Sequence, residues 1–187
     1  MKITFVLPDL NYVSEYMPDY DGVFAHGVGY LSSSLKLAHF TKAAGRFPTI
    51  AGGIHPTVDP ENTLNDKNID MVCLGEGEEA LVELCDKMDS GRDHRKVDSI
   101  WVKDNGSIVR NNIRLLSDNL ESRPFPDRSI FDFKKLSDTR LGMLTVLAGR
   151  GCPYDCTYCC NHQYRKLYPN AGKYVRFRDP EAIIQEN

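Results

Sequence analysis

Cys152, Cys156 and Cys159 fall within eight residues, in the run Gly151-Cys152-Pro153-Tyr154-Asp155-Cys156-Thr157-Tyr158-Cys159, a C-x3-C-x2-C spacing. Thiolates are the usual ligands of iron–sulfur clusters, and a short cysteine loop lets one backbone turn wrap the metal. A [4Fe–4S] cube held by three cysteines keeps one iron open, and an open iron is a place for a ligand and for chemistry.

Other chemistries use cysteines at short spacing. A structural zinc site normally combines two ligand pairs across a longer spacer. Here Cys160 directly follows Cys159, so their side chains diverge, and His162 is the only nearby alternative fourth ligand. A redox dithiol at Cys156-Thr157-Tyr158-Cys159 leaves Cys152 without a role. A structural disulfide fits poorly, because no export signal is evident and Met1-Lys2-Ile3-Thr4-Phe5 runs straight into a strand. Cys73 and Cys85 read as buried cysteines of a strand and a helix, and Cys160 as a bystander.

The three-cysteine loop resembles the signature of the radical S-adenosylmethionine (SAM) enzymes. The resemblance implies that Cys152, Cys156 and Cys159 ligate a [4Fe–4S] cluster whose open iron takes the amino and carboxylate groups of SAM. It also implies that Tyr158, the aromatic residue before the third cysteine, packs near the SAM adenine. The flanks agree. Leu144 to Gly151 reads as a short apolar strand breaking into a Gly-rich loop, as a first barrel strand would. Tyr174 to Arg178 reads as a loop. Asp179-Pro180-Glu181 then starts a helix, with Asp179 as N-cap, Pro180 at the first helical position and Glu181 in the first turn. Arg150 and Arg165 either steer SAM or substrate carboxylates or are solvated surface charges.

The elements that must position this loop read as α/β. The chain has 187 residues, a hydrophobic fraction of 41%, 26% charged residues and a net charge of −3, which describes an ordinary soluble protein and gives no case for nucleic-acid binding. No apolar run approaches the ~20 residues of a membrane helix. Clustered cysteines point to a reducing cytoplasm and, with an oxygen-labile cluster, to anaerobic metabolism. Residues 2–7, 49–51 and 69–74 read as buried strands. A helical pattern runs from Gly27 to about Ala44, a short helix begins at Asp59-Pro60-Glu61, and an amphipathic helix spans Glu79 to Met88 with Leu81, Leu84, Cys85 and Met88 on its apolar side. Strand–helix alternation predicts a doubly wound, flavodoxin-type parallel sheet. Ligands then bind beyond the strand ends, at loops Pro8–Gly29, Gly52–Thr57 and Gly75–Gly77. Ser99 to Arg110 reads as a β-hairpin turning at Asp104-Asn105-Gly106, and residues 111–140 as an extended linker containing Arg123-Pro124-Phe125-Pro126.

The order of the N-terminal segments is similar to that of the cobalamin (B12)-binding domain that precedes many radical SAM cores. Gly27-Val28-Gly29-Tyr30-Leu31 resembles its first helix, Ala51-Gly52-Gly53-Ile54-His55-Pro56-Thr57 its Gly-Gly-x-His-Pro-Thr loop, and Asp70 to Glu78 its strand and Gly-Glu-Gly-Glu turn. The resemblance assigns Gly27, Gly29, Gly52, Gly53, His55, Pro56, Thr57, Gly75, Glu76 and Gly77 to cobalamin. Read from the residues alone, these glycines also fit plain turn chemistry, His55 a structural loop histidine, and Glu76 and Glu78 helix N-terminal acids that complement the dipole. An Asp-x-His-x-x-Gly motif is absent, and neither His26 nor His39 has its context, so no axial histidine for cobalt is expected. Between Gly29 and Gly53 there is room for one helix and one strand, about two βα units short of a five-stranded doubly wound domain, and the barrel would need ~200 residues where only its first strand and helix follow.

The expected organisation is a B12-binding-like α/β domain over residues 1–95, a hairpin and linker over 96–140, and the start of a radical SAM core over 141–187. The resemblance implies a B12-dependent radical SAM enzyme, of a methyltransferase or oxidative cyclase type such as the anaerobic Mg-protoporphyrin monomethyl ester cyclases. The substrate would be a small molecule such as a tetrapyrrole, lipid or natural-product precursor, and the electron donor a flavodoxin or ferredoxin. The 187-residue chain is expected to be inactive by itself. The alternative is a non-catalytic cobalamin- or nucleotide-binding α/β module with an incomplete metal loop.

Overall fold

A computed structural model describes residues 48–67, 69–130, 146–168 and 172–186. The strand expected at residues 2–7, the Pro8–Gly29 loop with Gly27 and Gly29, the helix running to Ala44, His26, His39 and the start of the Leu144 strand lie outside the described residues.

Two parallel strands open the described part. β1 (Ile50–Ala51) pairs in parallel with β2 (Met71–Cys73), Ile50 opposite Met71. Two short helices, α1 (Ile54–Val58) and α2 (Pro60–Asn65), connect them. β2 runs through the core with every residue buried, as the unbroken apolar run predicts. Alternate side chains leave a strand on opposite faces. Met71 and Cys73 therefore join Ala80, Leu81, Leu84, Cys85, Val97, Ile100 and Val102 in one cluster, under helix α3 (Glu78–Asp89). Val72 and Leu74 join Leu64 of α2 in a second cluster, with Trp101 and Ile108 packed against it. Helices thus cover both faces, the α/β layering the sequence predicts.

The hairpin is β3 (Ile100–Asp104) and β4 (Ser107–Val109), turning through Asn105 and Gly106, both at positive φ. The sequence places it in the bridge after the sheet. In the structure β3 pairs antiparallel with β2, Val72 opposite Trp101, so the sheet is mixed, in the order β1-β2-β3-β4. Buried Ser99 holds this junction: its carbonyl accepts the Leu74 amide at 2.8 Å and its hydroxyl accepts the Arg114 amide at 2.9 Å.

The described part of the linker contains two short 3-10 turns, Leu120–Ser122 and Arg128–Ile130. Within the described part of the apolar run around Leu147, the strand is β5 (Gly149–Arg150). It pairs antiparallel with β6 (Arg176–Phe177), a strand inside the stretch that reads as a loop. α4 (Asn161–Leu167) lies between them in sequence, and α5 (Pro180–Gln185) follows. α5 starts as the residues dictate: Asp179 caps it by accepting the Glu181 amide at 3.0 Å, with Pro180 in the first turn.

Candidate functional site

Because β1 and β2 are parallel, the segments after them emerge at the same end of the sheet. Those segments are Gly52–Thr57 and Gly75–Gly77. The first is an open glycine step at Gly52–Gly53 followed by the single turn of α1, so His55, Pro56 and Thr57 are helical where the sequence suggests a loop. His55 is exposed, and Ile54 and Val58, one helical turn apart, are 62% and 47% exposed. Pro56 and Thr57 are buried. The Thr57 hydroxyl donates to the Gly53 carbonyl at 2.7 Å and accepts the Gly75 amide at 3.0 Å. Its role in the structure is therefore to join the two segments.

The cysteine loop leaves β5 through Gly151. This residue has φ +81°, and a Cβ there would stand 2.1 Å from the Tyr174 carbonyl oxygen, so only glycine fits beside β6. Cys152, Cys156, Cys159 and Cys160 are free thiols of intermediate exposure. The Cys159 amide donates to the Cys156 carbonyl at 3.1 Å, closing a turn between the last two of the three spaced cysteines. Asn161 donates to the Cys159 sulfur at 3.3 Å and accepts from the Tyr174 hydroxyl at 3.3 Å. Arg165 of α4 reaches back to the Asp155 carboxylate and to the Pro153 carbonyl at 3.3 Å, so it braces the loop. Cys160 caps α4 through its backbone, its carbonyl accepting the Gln163 and Tyr164 amides. Tyr158 is 91% exposed. An open basin of about 600 Å³ beside the loop is lined by Asp155, Thr157, His162, Arg165 and Lys166. Among the described residues, no three His, Cys, Asp or Glu side chains converge as a ready-made metal site. The donor set itself fits a soft-metal cluster: three unbridged thiols in one short loop, all reachable from solvent.

The loop and the sheet end are brought together by α4. The Tyr164 hydroxyl donates to the Gly53 carbonyl at 3.1 Å. Tyr168, just past the helix, is buried against Gly75, which sits at φ +73° where a Cβ would fall 1.7 Å from the tyrosine oxygen. Burial pushes the Tyr164 and Tyr168 hydroxyls above the usual tyrosine range, so both stay protonated.

A second set of contacts was not evident in the sequence. Glu76 and Glu78 face three arginines from distant parts of the chain. Arg176 of β6 grips Glu76 with two nitrogens, Nη1 to Oε2 at 3.2 Å and Nη2 to Oε1 at 2.5 Å. Arg150 of β5 reaches Glu76 at 3.3 Å and Glu78 at 2.5 Å, and Arg123 of the linker reaches Glu76 at 3.1 Å. Burial alone would raise the Glu76 carboxyl, but the Arg176 hydrogen bond and the charges of Arg150, Arg176 and Arg123 draw it below its ordinary value. Arg150, read from sequence as a SAM contact or surface charge, is mostly buried and paired here. The only sequence hint was a Glu-x-Glu turn and several arginines flanking the cysteine loop; nothing local matched them.

Residues 10–85 match the B12 binding domain family. Over 138 residues, 73% of this chain, the sequence is 30% identical to an uncharacterized methyltransferase of Pyrococcus horikoshii. Over 145 residues it is 28% identical to the anaerobic magnesium-protoporphyrin IX monomethyl ester cyclase of Rubrivivax gelatinosus. The chain spans 29% and 25% of the length of these two relatives. Among solved structures, the cobalamin-dependent S-adenosylmethionine radical enzyme OxsB, with aqua-cobalamin and S-adenosylmethionine bound, is 27% identical with a TM-score of 0.48, over 59% of this chain and 15% of OxsB. No helix among the described residues is long and apolar enough to cross a membrane.

Proposed function

We propose that this chain, whose residues 10–85 match the B12 binding domain family and are followed by a C-x3-C-x2-C loop, is the cofactor-binding part of a B12-dependent radical SAM enzyme. Relatives in sequence include an uncharacterized methyltransferase and an anaerobic magnesium-protoporphyrin IX monomethyl ester cyclase. The observation that supports the reading best is the seat of α4: the helix that follows the cysteine loop rests on the Gly52–Gly53 and Gly75 backbone, through Tyr164 and Tyr168. The helix that follows the candidate cluster loop therefore packs on the candidate cobalamin segments.

In this reading Cys152, Cys156 and Cys159 hold a [4Fe–4S] cluster, Tyr158 lies against the SAM adenine, and Cys160 stays unligated. The Gly52–Gly53 backbone, exposed His55 and the apolar Ile54–Val58 face receive cobalamin, while Gly75, under Tyr168, and Glu76, held by arginines, shape the wall beside it. When bound, the cluster and SAM would supply a 5′-deoxyadenosyl radical for hydrogen abstraction, and cobalamin would supply the methyl group in methyl transfer; in the cyclase variant the substrate would instead form a bond within itself. The chain's own work is placement. Arg165 and Asn161 set the loop's shape. Thr57 sets the spacing of the glycine segments. Tyr164 and Tyr168, held protonated, keep α4 on them. Reducing power from a flavodoxin or ferredoxin, a tetrapyrrole-like or other small-molecule substrate, and a cytoplasmic, anaerobic setting complete the proposal.

Anaerobic reconstitution with iron and sulfide tests it. A brown protein with about four irons per chain, which loses its visible absorption in Cys152→Ala, Cys156→Ala or Cys159→Ala and keeps it in Cys160→Ala, supports the reading. Equal loss in Cys160→Ala overturns the ligand set. A colourless protein that still binds hydroxocobalamin favours the non-catalytic cobalamin-binding module instead.

A further inference from the structure

We propose that Glu76 is a positioning residue: through Arg176 and Arg150 it latches the strand pair that carries the cysteine loop onto the end of the α/β sheet, and so sets the distance between the two loops read above as cofactor sites. Glu76 is the middle residue of the Gly75–Gly77 turn after β2, whereas Arg176 lies 100 residues further along. Arg150 ends β5, two residues before Cys152, and pairs in register with Arg176 across the β5–β6 ladder. One carboxylate thus grips both strands of the ladder. Arg176 also donates to the Ser117 carbonyl at 2.8 Å, which fixes its own position against the linker.

The network is built for placement more than for stability. The Arg176 and Arg123 side chains are 4% and 8% exposed, so desolvation of these charges is nearly complete. The repayment is partial: Glu78 Oε2, Arg123 Nε, Arg123 Nη1 and Arg176 Nε are buried without hydrogen-bond partners, and Glu78 Oε2 stands 3.9 Å from Arg123 Nε. Buried ion pairs of this kind often add nothing over an apolar replacement, and their best-attested service is to specify one arrangement among several. Apolar contacts between α4 and the sheet end are few: Tyr168 and Leu116 form a small cluster with Ile113, Leu167 and Tyr174. Such a patch can slide, and a forked arginine–carboxylate contact cannot, because its geometry is directional.

The latch rests on the cofactor reading for its purpose and not for its existence, so it is tested on the purified chain without cofactors. Hydrogen exchange is followed by mass spectrometry in the wild type, Glu76→Gln, Arg176→Met and the double variant. The expected result is exchange at least ~10-fold faster at residues 149–152 and 176–178 in each single variant, a change within ~2-fold at Met71–Cys73 and α3, and a double variant no faster than the faster single. Unchanged exchange at 149–152, acceleration spread evenly through β2 and α3, or effects that multiply in the double variant would each overturn the latch. Arg176→Lys, which keeps the cation and gives up the fork, takes the place of any single variant that does not fold, with the same criteria. Wild-type protein that fails to bind hydroxocobalamin yet shows the expected exchange pattern would reject the cofactor reading and leave the latch standing.

Discussion

The Thr57 hydroxyl stands between two backbone groups, donating to the Gly53 carbonyl at 2.7 Å and accepting the Gly75 amide at 3.0 Å, with only 1% of the residue exposed. One oxygen thereby ties the end of β1 to the end of β2, at the sheet edge on which α4 sits. Parallel strands place their exits side by side, but nothing in the ladder sets the spacing of the segments beyond it. Here a side chain does.

Thr57→Val keeps the shape and removes both hydrogen bonds. The part-buried Gly75 N–H is left without its partner, which costs at most about 1–3 kcal/mol. Urea denaturation should show that loss, while Thr57→Ser, which retains the hydroxyl, should keep most of the stability. A valine variant as stable as wild type would contradict the bridging role.

Gly75→Ala should be worse than an ordinary glycine substitution. The left-handed backbone costs an L-residue about 1–2 kcal/mol, and the new Cβ collides with the Tyr168 hydroxyl. Adding Tyr168→Phe removes the colliding oxygen and should recover part of the loss. Equal and additive losses in the two single variants would mean that the contact is not the cause.

Stability should fall in acid partly through Glu76, which is faced by Arg123, Arg150 and Arg176 and lies near Glu78 and Tyr168. Its folded-state pKa is depressed, so its contribution is present above the unfolded carboxylate value and disappears as pH drops through the lower folded value. The stability gap between wild type and Glu76→Gln should be widest near neutral pH and shrink as the pH is lowered below ~4. A gap that is constant with pH would show that the carboxylate's charge is not what matters.

Thiol titration of the cofactor-free chain should divide its six cysteines into two groups. Cys73 and Cys85 are 7% and 2% exposed, and burial pushes both thiols up to about 12. They should react with a disulfide reagent only after unfolding, because the thiolate is the reactive form. Cys152, Cys156, Cys159 and Cys160 should react in the native state. Six rapid equivalents would place the core cysteines within reach of solvent and reject this packing.

Much of this protein was legible before any coordinates. The apolar run at Met71–Leu74, the helix with Leu81, Leu84 and Cys85 on one side, the Asp104-Asn105-Gly106 turn and the Asp179-Pro180-Glu181 helix start all depend on neighbours a few residues away, where pattern and capping chemistry decide the outcome. The cysteine spacing is local in the same way, and the resemblance to B12-binding proteins was carried by short runs such as Gly52-Gly53-Ile54-His55-Pro56-Thr57. Tertiary structure alone decided the rest. That the hairpin joins the sheet beside β2, that Gly75 must be glycine because Tyr168 lies on it, and that Glu76 faces Arg176 instead of solvent follow from contacts closed across tens of residues to a hundred. A glutamate before a helix looks the same in sequence whether it complements a dipole, touches a ligand or meets a buried arginine. Its partner is chosen only when the chain has folded and desolvation makes an unpaired charge too costly to leave.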